Sequence, residues 1–275
     1  MPSLPQTATR TSRVPAVSRP VLRAFLQIVR LNLRRSFHKV RIGGVERLRD
    51  NTGPIIVYMN HASWWDPMIG FLLWAQLPGR SHYGPMDAAA LNRYKILSRV
   101  GVFPVDLSGG RGGIQFLRTA EEILRSGGVL WVTPQGRFAD VRDRPPVFKA
   151  GLASLVARVP ECTLIPVAME YTFWDERTPE ALLFVGERQH VQADESLAAL
   201  DERLAASLGD AMAELERCAR TRNPAAFPTT LLRGRAGVGG FYGLGQRLRA
   251  LVLRQPYQAE HTPEPPQPEP ERAQP

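Results

Sequence analysis

The sequence predicts an α/β fold, a mixed central sheet flanked by helices and preceded by an N-terminal amphipathic helix. Three observations lead there. Short apolar runs alternate with helical patterns through the middle of the chain, as in layered helix and strand structures. An apolar pattern at helical spacing, interleaved with arginines, stands ahead of the first strong strand-like run. A length of 275 residues suits one domain with a real core and terminal extensions better than two domains.

Residues 1–19 are rich in Pro, Ser, Thr and Arg without periodicity, which predicts a disordered N-terminus. The segment 20–38 follows, where Val21 to Arg35 gives the basic amphipathic helix. Such a helix either lies in a membrane headgroup layer with its arginines on anionic phosphates or packs its apolar face on the domain. Both hold if it packs beside the site while facing the membrane. The domain proper is predicted over 39–255. Its strand candidates are Ile55 to Met59, Ser81 to Gly84, Val102 to Val105, Gly128 to Thr133, Leu164 to Tyr171 and Ala181 to Val185. Helices are predicted over Gly113 to Ser126, Gly151 to Arg158 and Ser196 to Arg222, the last aligning Leu197, Leu200, Leu204, Leu208, Met212 and Leu215 as a covering helix. Gly240 to Gln255 is glycine-punctuated, then basic and apolar, a candidate second membrane-contacting element. The tail 256–275 is rich in Pro, Glu and Gln and is predicted disordered.

The chain is basic, with a net charge of +9 and a pI near 10.2. Only Lys39, Lys95 and Lys149 are lysines, so the positive charge is almost all guanidinium, which pairs with phosphate in a planar, bidentate way. That points to phosphate-bearing partners: anionic lipid, a nucleotide-bearing thioester such as acyl-CoA, or nucleic acid. No nucleic-acid module is recognisable, and none is expected as a partner. Cys162 and Cys218 lie far apart with no histidine at metal-ligand spacing, so neither a disulfide framework nor a metal site is predicted. No signal peptide opens the chain and no apolar run reaches bilayer-spanning length.

The chemistry-bearing stretch is Asn60-His61-Ala62-Ser63-Trp64-Trp65-Asp66-Pro67. On a continuous helix, five positions put His61 and Asp66 roughly 140° apart, so they meet only if the chain turns between them. Pro54 to Met59 reads as a strand, and Pro67 opens a helical pattern through Met68, Ile69, Phe71, Leu72, Leu73 and Leu77. Asp66 therefore sits at the mouth of a helix with His61 on the loop leading in. A carboxylate there bonds one imidazole nitrogen and leaves the other free to take a proton. The competing reading makes Asp66 an ordinary helix cap.

Asn60-His61 through Asp66 resembles the His-x4-Asp signature of the glycerophospholipid acyltransferases, the PlsC-like group that includes 1-acylglycerol-3-phosphate acyltransferases. Three further blocks follow in that family's order. Gly101-Val102-Phe103-Pro104-Val105-Asp106 resembles the second, Thr133-Pro134-Gln135-Gly136 the third, and Leu164-Ile165-Pro166-Val167-Ala168 the fourth; Phe148-Lys149-Ala150-Gly151 is similar to the segment between the last two. Together they cover roughly residues 40 to 190.

The resemblance implies the family's α/β fold and transfer of a fatty acyl chain from acyl-CoA or acyl-carrier protein to a lysophospholipid or related lipid hydroxyl. It implies no bound cofactor; the thioester is a substrate. His61 would act as general base oriented by Asp66, with backbone amides near Gly136 as oxyanion donors. Asn60, Ser63, Gln135, Gly136, Arg137, Lys149 and Arg111 are the candidate substrate-binding residues. Arg111 stands in a glycine-rich loop, Gly109 to Gly113, that leads into a helix. Arg142 and Arg144 extend a basic cluster around Arg137 and Lys149, and Trp64 and Trp65 either line an acyl groove or pack. The expected setting is peripheral, at the cytoplasmic side of the cell membrane, with the bilayer surface as partner. Three departures touch the acceptor: Leu107 replaces an arginine, Gln135 a glutamate, and Arg137-Phe138 the usual Thr-Arg. A non-phosphorylated glycolipid-type acceptor, or a membrane-binding protein without activity, are the alternatives. A serine hydrolase is disfavoured, since no Gly-x-Ser-x-Gly elbow occurs, and a P-loop kinase is excluded by the missing Gly-Lys-Ser/Thr.

Overall fold

A computed structural model describes residues 14–49, 53–106, 112–192 and 194–236. The predicted disorder of the first residues, the glycine-rich loop as far as Arg111, the segment from Gly240 and the tail after Pro256 lie outside them. The described residues build one eight-stranded sheet, ordered β4-β3-β5-β2-β6-β7-β1-β8. In chain order the strands are β1 (Lys39–Gly43), β2 (Ile55–Met59), β3 (His82–Asp87), β4 (Val102–Val105), β5 (Val129–Val132), β6 (Thr163–Thr172), β7 (Glu180–Val185) and β8 (Thr229–Arg233). The helices are α1 (Arg19–Ser36), α2 (Asp66–Leu73), α3 (Ala88–Arg93), α4 (Gly112–Arg125), α5 (Leu152–Val156) and α6 (Leu197–Arg220).

The first five strands of that order run parallel, and β6 pairs antiparallel with β7. Strand β2 is the centre: Ile55 pairs with Val129 of β5 on one side and Thr163 of β6 on the other. All five of its residues are buried, the continuous apolar run that a parallel strand covered on both faces requires. Val57 and Met59 face the layer of α1 and α2, with Val29, Leu33, Ile69 and Trp131. Ile56 and Tyr58 face the opposite layer of α4, α5 and α6, with Leu130, Leu155, Leu204 and Leu208.

The predicted strands all form, within two residues at most ends; β3 runs on to Asp87 instead of stopping at Gly84. The helix predicted from Gly151 to Arg158 is shorter, Leu152–Val156. Strands β1 and β8 were not predicted, because the charges of Lys39 and Arg41 mask β1 as surface. Both side chains are buried on the sheet. Arg41 Nε donates to Glu180 Oε2 at 3.0 Å, and its guanidinium lies 5.3 Å from the centre of the Trp174 ring. Burial pushes the Glu180 carboxyl upward, and the Arg41 bond opposes it.

Helix α1 packs on the domain: Phe25 meets Phe71 of α2 edge-on at 4.9 Å. Its outer side still carries Ile28 and Leu31, both about half exposed, between Arg23 and the Arg34-Arg35 pair. Among the described residues no helix is long and apolar enough to cross a membrane.

Candidate active site

The site lies at the carboxyl ends of the parallel strands, where loops leave β2, β4 and β5 together. Strand β2 ends at Met59, and Asn60 fixes where the chain goes next. Its side chain copies a strand pair: Nδ2 donates to Met169 O at 2.9 Å, and Oδ1 accepts from Met169 N at 2.7 Å. Asn60 is buried and is not among the residues lining the cavity beside His61; its side chain anchors the loop.

The loop turns through Ser63 and enters α2 at Asp66, with Pro67 in its first turn. This turn brings the two predicted partners together: His61 Nδ1 lies 2.7 Å from Asp66 Oδ2. The same oxygen accepts the Ser63 amide at 2.9 Å, and Oδ1 accepts the Tyr171 hydroxyl at 2.6 Å. Asp66 is fully buried with three donors on its carboxylate, the saturation a buried charge requires. Because a carboxylate only accepts, Nδ1 carries a proton, and in the neutral ring Nε2 then presents its lone pair. Among the described residues Nε2 has no partner. A neutral imidazole so held can take a proton from a group placed against it. Ser63 spends its oxygens inside the turn, where Oγ accepts from Trp65 N at 3.3 Å.

The third block supports His61 from the other side. Gln135 is buried and its Oε1 accepts the His61 amide at 2.7 Å, while Ala139 N donates to His61 O at 2.9 Å. Gly136 adopts φ +60°, and a side chain there would meet Lys149, whose stem crosses within 2.8–3.0 Å of the Cβ position. The Gly136 amide is committed to Thr133 O at 3.0 Å. The amides of Arg137 and Phe138 have no partner among the described residues, so they are open to a ligand where the Gly136 amide is not. Phe138 is exposed and stacks obliquely on His61, ring centres 4.4 Å apart.

A cavity of about 700 Å³ opens beside His61 and is mostly apolar. Phe71 of α2, Trp74 just after it, Pro85 and Met86 of β3, and Trp131 of β5 form its body, while Gly136 and Lys149 also line it. The Lys149 ammonium and the Arg137 guanidinium have no partner among the described residues. The rest of the predicted basic cluster is engaged: Arg142 with Asp140 at 2.7 Å and Arg144 with Glu216 at 2.6 Å. Arg111 lies outside the described residues. Gly112, next to it, packs so closely that a side chain would sit 1.7 Å from Asp106 O. Of the two tryptophans, Trp65 packs on Phe37 at 5.1 Å, while Trp64 is largely exposed.

Tyr171 was not singled out from sequence, since nothing marks a tyrosine on a predicted strand as the neighbour of an aspartate over a hundred positions away. The acyltransferase family model matches residues 39–170. A solved structure, the 1-acyl-sn-glycerophosphate (LPA) acyltransferase PlsC from Thermotoga maritima, superposes with a TM-score of 0.54 at 17% identity, covering 71% of this chain and 79% of that one. None of the curated proteins compared matches the chain.

Proposed function

Since the chain is an O-acyltransferase with a PlsC-like fold, its family domain spanning residues 39–170, we propose that it moves a fatty acyl chain from acyl-CoA or acyl-carrier protein to the hydroxyl of a lysophospholipid or related lipid. The observation that carries this reading is the His61–Asp66 bond of 2.7 Å beside an apolar cavity, with Nε2 of His61 unengaged. Nε2 takes the acceptor's hydroxyl proton as its oxygen attacks the thioester carbonyl. The amides of Arg137 and Phe138, unengaged among the described residues, would receive the oxyanion. The C–S bond then breaks, and the thiolate recovers the proton from the imidazolium, which Asp66 stabilises meanwhile. The apolar cavity suits an acyl chain, and Lys149 and Arg137 suit a phosphate at its rim.

A second reading of the acceptor, a non-phosphorylated glycolipid-type alcohol, draws on Phe138. Its ring covers His61 at a position where the resemblance leads one to expect an arginine.

The same reading makes the protein peripheral, at the cytoplasmic face of the cell membrane, where acyl-CoA and acyl-carrier protein are found. The outer side of α1, with Ile28 and Leu31 between arginines, and the exposed Trp64 beside the dyad's loop suit a headgroup layer.

The test is transfer from a labelled thioester to a panel of lyso-acceptors in the presence of membrane. Activity that disappears in a folded His61→Ala variant is the expected result. No transfer to any acceptor, or full activity in His61→Ala, would defeat the proposal.

A further inference from the structure

We infer that Tyr171 is a positioning residue of this site, holding the Asp66 carboxylate so that its other oxygen stays committed to His61 Nδ1. The inference rests on the reading of His61 as the base. Asp66 has two oxygens and no water-exposed surface. Oδ2 already receives His61 Nδ1 and the Ser63 amide. Oδ1 receives the Tyr171 hydroxyl at 2.6 Å, and no other described group donates to it. Without that donor, a buried carboxylate oxygen is left bare, and the group recovers a partner only by rotating and giving up a bond on the His61 side.

The phenol is built to hold one position. Its backbone is fixed within the sheet, where Tyr171 pairs with Ala181 of β7. Its ring is braced by Phe37, at the end of α1, with ring centres 5.6 Å apart. Burial first, then the charge of Asp66, push the phenol well above its ordinary range, so it remains a donor at neutral pH. A short O–H to carboxylate bond of this kind is among the stronger protein hydrogen bonds. The backbone amide of Ser63 sets where Oδ2 sits, and Tyr171 sets the rotation of the carboxylate about it.

Tyr171→Phe removes one oxygen and leaves the ring, so folding is expected to survive, with a thermal unfolding scan as the check. The expected result is a kcat lower by about tenfold with KM for donor and acceptor within about twofold, the pattern of an interaction felt in the transition state. In an Asp66→Asn background the same substitution is expected to cost nothing further. Nitrogen shifts of 15N-labelled histidine supply a readout independent of turnover: His61 is expected to be the Nδ1-protonated tautomer in the parent and a mixture in Tyr171→Phe. An equal kcat loss in both backgrounds, or an unchanged tautomer, overturns the positioning role. If the parent transfers no acyl group to any acceptor, the proposed function falls, and the tautomer measurement still decides whether Tyr171 governs His61 through Asp66.

Discussion

Gln135 holds His61 by the backbone: its Oε1 accepts the His61 amide hydrogen at 2.7 Å from a buried position. The third sequence block thus meets the first through a main-chain contact, and the side chain that the resemblance associates with the acceptor is turned toward the His61 loop. The ring of His61 is aimed by Asp66, and its Cα by Gln135 and by Ala139 N.

Gln135→Leu keeps the volume and removes the acceptor. The partly buried His61 amide then loses its partner, which costs about 1 kcal/mol or more. Denaturant titration should show that loss, and acyl transfer should fall with it as the loop loosens. An unchanged midpoint together with unchanged activity would show that the bond does not position His61.

Phe138 is the exposed residue on which acceptor discrimination is best tested, because its ring packs against the imidazole. Phe138→Arg places a cation beside Arg137 and Lys149. The ratio of kcat/KM for a phosphorylated lyso-acceptor over its non-phosphorylated counterpart should rise by about tenfold or more, the worth of one charge-assisted bond. A ratio that stays fixed would place acceptor choice elsewhere.

Ile28 and Leu31 face solvent on α1 while its inner side packs on α2. Ile28→Glu with Leu31→Glu should therefore leave stability nearly unchanged, as surface substitutions do. Sedimentation with anionic liposomes should drop by about tenfold or more, since inserting each aliphatic side chain is worth about 1.5–3 kcal/mol when complete. Equal sedimentation of variant and parent would remove α1 from the membrane contact.

The legible parts of this fold are those where one local rule decides. Strand β2 reads as apolar, α6 as a long amphipathic stripe, and the His61 to Asp66 turn as a strand end followed by Pro67. What stayed hidden depends on partners remote in sequence. Lys39 and Arg41 make β1 look solvated, and Arg41 finds partners for its burial in Glu180 and Trp174, more than 130 positions on. Tyr171 is likewise an ordinary residue until β2 and β6 lie side by side, and Gln135, marked by the third block, shows its hold on the His61 amide only once β2 and β5 do.

That hidden pair carries its own expectation. Arg41→Met alone leaves Glu180 buried without its bidentate partner and should cost about 3–5 kcal/mol, whereas Arg41→Met with Glu180→Leu should restore most of it. Unfolding free energies of the two variants and the parent give the comparison. A double variant no better than the single one would show that the pair is not the source of the loss.

His82 connects the cavity wall to pH. It is buried and stacked on Trp74 at 5.1 Å, its Nε2–H donates to Leu77 O at 3.0 Å, and its Nδ1 accepts from Trp131 Nε1 at 3.1 Å. Both nitrogens are satisfied only in the neutral ring, and protonating Nδ1 would set a donor against the Trp131 donor. Burial accordingly lowers the His82 pKa from 6.5 to about 4. The unfolded chain takes up this proton near pH 6.5 and the folded chain only near 4, so the contribution is complete above 6.5. It is lost as pH falls from there to about 4, and amounts to about 3 kcal/mol. Carboxylates titrate in the lower part of the same window, so the measurement is a difference: unfolding free energies at pH 7.5 and pH 5 for the parent and for His82→Phe, which keeps an aromatic ring against Trp74. The parent should lose more stability on acidification than the variant. Since Trp74 and Trp131 both line the cavity, the parent's tryptophan fluorescence should also change in the acid range before global unfolding. Identical pH dependence in the two proteins would mean that the neutral state of His82 contributes nothing to holding that wall.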